Sequence, residues 1–103
     1  MNSVSIGNMD IESDLDQLPD KVAEALQLWR VATLNREKME AVLYAGFKGN
    51  DPNRSATEIK ACINASDSRY NSVLEEIKCE CEYQRLYEKL LSAKKRASLR
   101  VAF

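Results

Sequence analysis

The sequence predicts an all-α fold, an antiparallel helical hairpin with a short connecting helix that dimerises into a four-helix or coiled-coil-like bundle. Three observations carry this prediction. From Val22 to Gly46 the apolar positions recur at alternating three- and four-residue steps, the seam of a helix packed at a shallow angle on another. Residues 48–54 form the clearest break, with Gly49 and Pro52 among polar residues. From residue 67 to the end the helical period resumes, and its apolar side shifts partway along.

Taken in order, residues 1–18 mix Asn, Ser, Gly and Asp with isolated Val4, Ile6, Met9 and Ile11, and no sustained period joins them. A mobile tail is expected, acidic because Asp10, Glu12, Asp14 and Asp16 all precede the first cation, Lys21. Such a tail serves solubility, or makes a contact within the chain or with a partner. Residues 19–103 are read as a single helical domain. Helix 1 is expected to begin near Pro19, since proline suits a first helical turn and Asp16 or Asp20 complements the positive end of the dipole. It should run to about Phe47, with Val22, Ala25, Trp29, Ala32, Arg36, Met39, Leu43 and Gly46 on one side. Arg36 is the misfit in that row. Either it sits at the edge in a surface ion pair, or it belongs to a polar layer that fixes register or oligomer state. Leu28, Val31, Leu34 and Val42 lie off the seam, so a second surface is expected to cover them.

Gly46 or Gly49 is expected to close helix 1 in a left-handed conformation, with Pro52 preventing its continuation. Ser55 and Glu58 then form the Ser-x-x-Glu pattern of a capping box, opening a short helix to about residue 64 with Ile59, Cys62 and Ile63 on its apolar side. Asn64, Ser66 and Asp67 signal a second cap and a restart near residue 67, the alternative being one helix from 55 to 100. At about 100° per residue, Tyr70, Val73, Leu74, Ile77 and Cys81 share one side of the last helix. Cys79, Tyr83, Leu86, Leu90, Ala93 and Ala97 share roughly the opposite side. One straight partner covers only one of these stripes. The first half can meet helix 1 or the short helix and the second another subunit, or the reverse; the division expected is that the first completes the fold and Tyr83, Leu86, Leu90, Ala93 and Ala97 form an oligomer interface, making the chain a homodimer.

Composition narrows the chemistry. With 103 residues, 45% apolar and 30% charged, the chain has material for one small domain, and a net charge of −1 offers no overall attraction to nucleic acid. An odd count of three cysteines suits a reducing compartment better than a disulfide framework, and a cytoplasmic location is expected. No signal-like start and no apolar run near the roughly 20 residues of a membrane span is present. Cys79 and Cys81, two residues apart on a helix, point about 200° apart and cannot grip one ion, and no histidine completes a zinc set. No metal, cofactor or small-molecule substrate is therefore expected. The lack of histidine also removes the commonest general base, the carboxylates lie among cations on helix surfaces, and no glycine-rich phosphate loop exists. No catalytic residue is assigned, and the protein is not expected to be an enzyme.

One charge feature stands out. From residue 84 onward Arg85, Lys89, Lys94, Lys95, Arg96 and Arg100 face a single acid, Glu88. Arg85, Lys89, Arg96 and Arg100 project within about 60° of one another and form a stripe. Cations oppose the negative end of a helix dipole, which accounts for them structurally; a partner protein, the acidic N-terminal residues or a phosphate backbone are the binding alternatives.

The Ser55-x-x-Glu58 opening, the Ala65-Ser66-x-x-x-Tyr70 restart and the long charged helix ending in Lys94-Lys-Arg-Ala-Ser98 resemble a group of small helical phage and prophage proteins often encoded near recombination or replication genes. Where that group often has proline after the restart serine, this chain has Asp67. The resemblance spans residues 55–98 and implies an accessory protein acting by binding. It transfers no functional residue. The expected function is non-catalytic binding of a phage or host protein of nucleic-acid metabolism or defence. Direct nucleic-acid binding through the basic stripe and a purely structural oligomerisation module are the alternatives.

Overall fold

Three helices make up the regular structure of the computed structural model, which describes the backbone of residues 3–102 and the side chains of residues 15–100. They are α1 (Ser3–Asn50), α2 (Ala56–Asn64) and α3 (Asp67–Ala102), and no strand occurs among the described residues. The all-α expectation holds. No helix among the described residues is long and apolar enough to cross a membrane. The chain divides into two units, Met1–Gln27 with Glu80–Phe103, and Leu28–Cys79.

In the first unit Leu18, Ala25, Leu86, Leu90 and Ala93 are buried together, and Leu15, Val22 and Tyr83 pack against them half-buried. On α1 the contributing positions step by three and four from Leu15 through Leu18 and Val22 to Ala25. On α3 the same stepping joins Tyr83, Leu86, Leu90 and Ala93. This is the knobs-into-holes spacing, and the two alanines let the backbones approach. Each buried leucine contributes about 1.5–3 kcal/mol from apolar area removed from water.

One expectation is corrected here. Helix 1 does not begin near Pro19, because α1 runs from Ser3 and carries Pro19 inside it. The physical reason is the seam itself: Leu15 and Leu18 continue it on the N-terminal side of the proline, and Leu18 is buried. Residues 3–18, expected as a mobile tail, thus form part of α1, while the side chains of Asp10, Glu12 and Asp14 lie outside the described residues. The residues expected at an oligomer interface have contacts within the chain as well. Leu86, Leu90 and Ala93 are buried, and Tyr83 and Ala97 half-buried, within this one chain. Within the chain Tyr83, Leu86, Leu90 and Ala93 pack against α1.

In the second unit α1 and α3 run antiparallel. Thr33 and Arg36 of α1 meet Glu76 of α3, and Glu40, further along α1, meets Arg69, further back on α3. Ala32, Ile59 and Ile63 are the buried apolar residues of this unit. Ser55 caps α2 as expected, its side chain accepting from the Glu58 N–H at 3.2 Å. The restart also holds: Ala65 ends α2, α3 begins at Asp67, and the Tyr70 N–H donates to the Ser66 carbonyl at 3.1 Å.

The expected glycine closure of helix 1 is not used, since neither Gly46 nor Gly49 has a positive φ and both lie within α1. The Asp51 N–H closes it by donating to the Phe47 carbonyl at 3.3 Å, and side chains add to that bond. Arg54 donates from a guanidinium nitrogen to the Phe47 carbonyl at 3.3 Å, and Lys48 Nζ donates to the Arg54 carbonyl at 2.9 Å. The Asp51 carboxylate accepts from the Asn53 N–H at 3.1 Å, an Asx turn around Pro52. The Arg54 guanidinium also stands 5.6 Å from the centre of the Phe47 ring.

Candidate functional site

The second unit is held differently from the first, and the difference exposes a surface. Where the seam expectation places apolar contacts between α1 and α3, the structure has a polar network. Arg36 donates from Nε to Glu76 and, at 3.1 Å, from a terminal nitrogen to Glu40 on the next turn of α1. Arg69 Nε donates to the same Glu40 oxygen at 3.2 Å. The Thr33 hydroxyl lies 3.2 Å from Glu76 Oε1 and 3.1 Å from the Trp29 carbonyl, and its one proton serves either acceptor. These charged side chains are half-buried. The hydrogen bond to Glu76, then the one to Glu40, raises the Arg36 pKa above its ordinary value. Of the two accounts of Arg36, the polar layer between helices is the one observed.

Because α3 turns Glu76 and Arg69 toward α1, its apolar stripe is rotated away. Tyr70, Leu74 and Ile77 lie within about 60° of one another and roughly 120° around the helix from Glu76. They are 61%, 46% and 48% exposed. Cys81, placed on the same stripe by the sequence, is exposed as well. Of the two α3 stripes, the one through Leu86 and Leu90 is thus buried within the chain, while Tyr70, Leu74 and Ile77 of the other are exposed and Val73 between them is half-buried. On α1 the residues off the seam, Leu28, Val31, Leu34 and Val42, are also exposed. Neither group carries charge, and no side chain among the described residues buries them.

The basic stripe is exposed along its length, but its cations are not equivalent. Arg85 grips Glu82 with two parallel hydrogen bonds of 3.0 and 2.7 Å. That pair raises the Arg85 pKa and lowers that of Glu82, in each case chiefly through the hydrogen bond between them. Lys89 is exposed, and Arg96 and Arg100 are exposed but engaged rather than free. Tyr83 and Tyr87 stack with ring centres 5.9 Å apart, which ties the half-buried Tyr83 to the exposed Tyr87.

An open depression lies beside the network, lined by Glu37, Glu40, Tyr44, Lys60, Ile63 and Arg69. Glu40 and Arg69 already pair across it. Cys62 and Cys79 are half-buried and Cys81 exposed, all three as free thiols. Cys79 lies 3.7 Å from Glu75, and its pKa is raised by burial first and by that carboxylate second. Among the described residues no group of three or more His, Cys, Asp or Glu side chains is placed to hold a metal ion.

The network residues Glu40, Arg69 and Glu76 escaped the reading of the sequence as a site. A signal was available: Arg36 precedes Glu40 on one helix and Arg69 precedes Glu76 on the other, so antiparallel pairing sets unlike charges opposite each other. No family model, curated protein or solved structure matches this chain.

Proposed function

We propose that this protein is a non-catalytic binding protein, a phage- or prophage-type accessory factor that engages a protein partner through the apolar face of α3. The observation that carries the reading is the exposure of Tyr70, Leu74 and Ile77 on a helix whose opposite side is pinned by Arg36 and Glu40. Apolar side chains spaced at four and three residues on a rigid helix fit the apolar side of an amphipathic helix or a shallow groove. Tyr70 adds a ring that buries large area at little entropic cost and a hydroxyl that stays wet. The resemblance of residues 55–98 to small phage and prophage proteins supports a phage or host protein of nucleic-acid metabolism or defence as the partner.

The test is capture by the tagged chain from a nuclease-treated lysate of cells carrying the parent phage or prophage. The same capture is repeated with Leu74→Asp and with Arg96→Ala/Arg100→Ala. A protein retained by wild type and by the double arginine variant, and lost with Leu74→Asp at unchanged helicity, supports the reading. Loss with the arginine variant instead, together with DNA binding that falls steeply with salt, would replace it by nucleic-acid binding.

A further inference from the structure

The exposed face of α1 has a pattern that a second copy of this chain fits. Val31 stands at its centre. Leu28 and Leu34 lie three residues to either side, Gln27 and Asn35 four, and Glu24 and Lys38 seven. At about 100° per residue all six fall within about 60° of Val31. All seven are exposed, and Leu28, Val31 and Leu34 are exposed by 55%, 45% and 63%.

We infer that this face pairs with itself, joining two copies of the chain through antiparallel α1 helices related by a two-fold axis beside Val31. Under that symmetry a residue n places after Val31 sits at the level of the partner's residue n places before it. Val31 then meets its own copy, and Leu34 of each copy meets Leu28 of the other, which puts six exposed apolar side chains against one another. Asn35 meets Gln27, two amides that each donate and accept. Lys38 meets Glu24, so the charged positions within seven residues of Val31 on this face form unlike pairs, twice over.

The charge complementarity singles out a second copy as the occupant. A parallel pairing in register would set Lys38 against Lys38 and Glu24 against Glu24, which repels. Only the antiparallel two-fold converts the same residues into two ion pairs. A partner of unrelated sequence imposes no equal spacing of acid and base about the apolar centre. The inference is independent of the α3 face, which points toward other partners whether or not α1 is paired.

The experiment begins with sedimentation equilibrium of the full chain, where about twice the 11.7 kDa chain mass is expected at micromolar concentration. Glu24→Lys or Lys38→Glu alone should weaken self-association about tenfold, because each creates two like-charge contacts per dimer. Glu24→Lys/Lys38→Glu together should restore it to within about threefold. In a background with Cys62, Cys79 and Cys81 replaced by serine, Val31→Cys should cross-link with itself in oxidised glutathione. Lys38→Cys, about 20 Å from its own copy along the paired helices, should not. The α1 substitutions all lie at exposed positions, and unchanged helicity of the cysteine-free background, in which Cys62 and Cys79 are half-buried, controls for the serine replacements. A monomer mass at micromolar concentration, failure of the double charge reversal to restore association, or equal cross-linking of Lys38→Cys and Val31→Cys would each overturn the inference.

Discussion

Arg36 of α1 and Glu76 of α3, forty positions apart in the sequence, are joined by a direct hydrogen bond, and the same guanidinium also holds Glu40. The pair sets the rotation of both helices in the second unit, because it turns Glu76 inward and leaves Leu74 and Ile77 outside. Glu76→Gln and Arg36→Ala should each lower unfolding free energy by about 1–2 kcal/mol, more than an exposed pair contributes and less than a fully buried one. The double variant should cost less than the sum, since both changes remove one interaction. Urea titrations followed by helicity give these values. If both single variants unfold at the wild-type midpoint, the pair does not hold the helices.

How much of this was legible in the sequence depends on the range of the interaction. The helical class, the Ser55 cap and the restart before Asp67 rest on residues within one turn of each other, and all are found. The choice between two apolar stripes on α3 rests on partners 29 to 43 residues apart, namely Arg69 with Glu40, Arg36 with Glu76 and Thr33 with Glu76. No local period encodes that choice. Each stripe alone has the spacing of a buried face, and the choice falls to the polar layer that claims the inner side. The closure of α1 misled for a related reason: Gly49 looks like a terminating residue, but the Phe47 carbonyl is met by the Asp51 N–H and by Arg54 from beyond the turn. The candidate binding face was visible only as a surplus, one stripe more than a hairpin can bury.

The two stripes make opposite demands on two leucines of one helix. Leu90 is buried with Leu18 and Ala93, so Leu90→Ala should destabilise by about 2–5 kcal/mol through lost transfer energy and a residual cavity. Leu74 is exposed, and Leu74→Ala should fall within about 0.5 kcal/mol of wild type. Thermal or urea unfolding of the two variants decides between the stripes. A stable Leu90→Ala beside an unfolded Leu74→Ala would return the fold to the arrangement expected from the sequence.

Pro19 sits inside α1 and is exposed. Without an N–H it cannot donate to the carbonyl four residues back, and its ring crowds that turn. A proline in a helix interior costs about 3 kcal/mol relative to alanine. Pro19→Ala should therefore stabilise the protein, by up to about 3 kcal/mol and less where the helix bends to relieve the ring. The gain should appear as a higher unfolding midpoint, with faster-exchanging amides near residue 15 becoming protected in hydrogen exchange. An unchanged midpoint would mean that helical order before Pro19 is not coupled to the buried Leu18.

Cys79 and Cys81 differ by two positions and should differ in reactivity. Burial and the Glu75 carboxylate 3.7 Å away push the Cys79 thiol above its ordinary value of 9.0, so near pH 8 it holds less thiolate than a free thiol. Since the thiolate is the reactive form, iodoacetamide should label exposed Cys81 at least about threefold faster than Cys79 at pH 8. Peptide mass spectrometry of a time course separates the two, and Glu75→Gln should narrow the gap by removing the repelling charge. The sign for stability follows from the same shift. A thiol whose folded pKa is raised keeps its full contribution below the unfolded value and loses it as pH rises through the folded one. The unfolding free energy should accordingly decline above about pH 9, and the Cys79→Ala variant should show a shallower decline; equal slopes in the two proteins would remove Cys79 as its source.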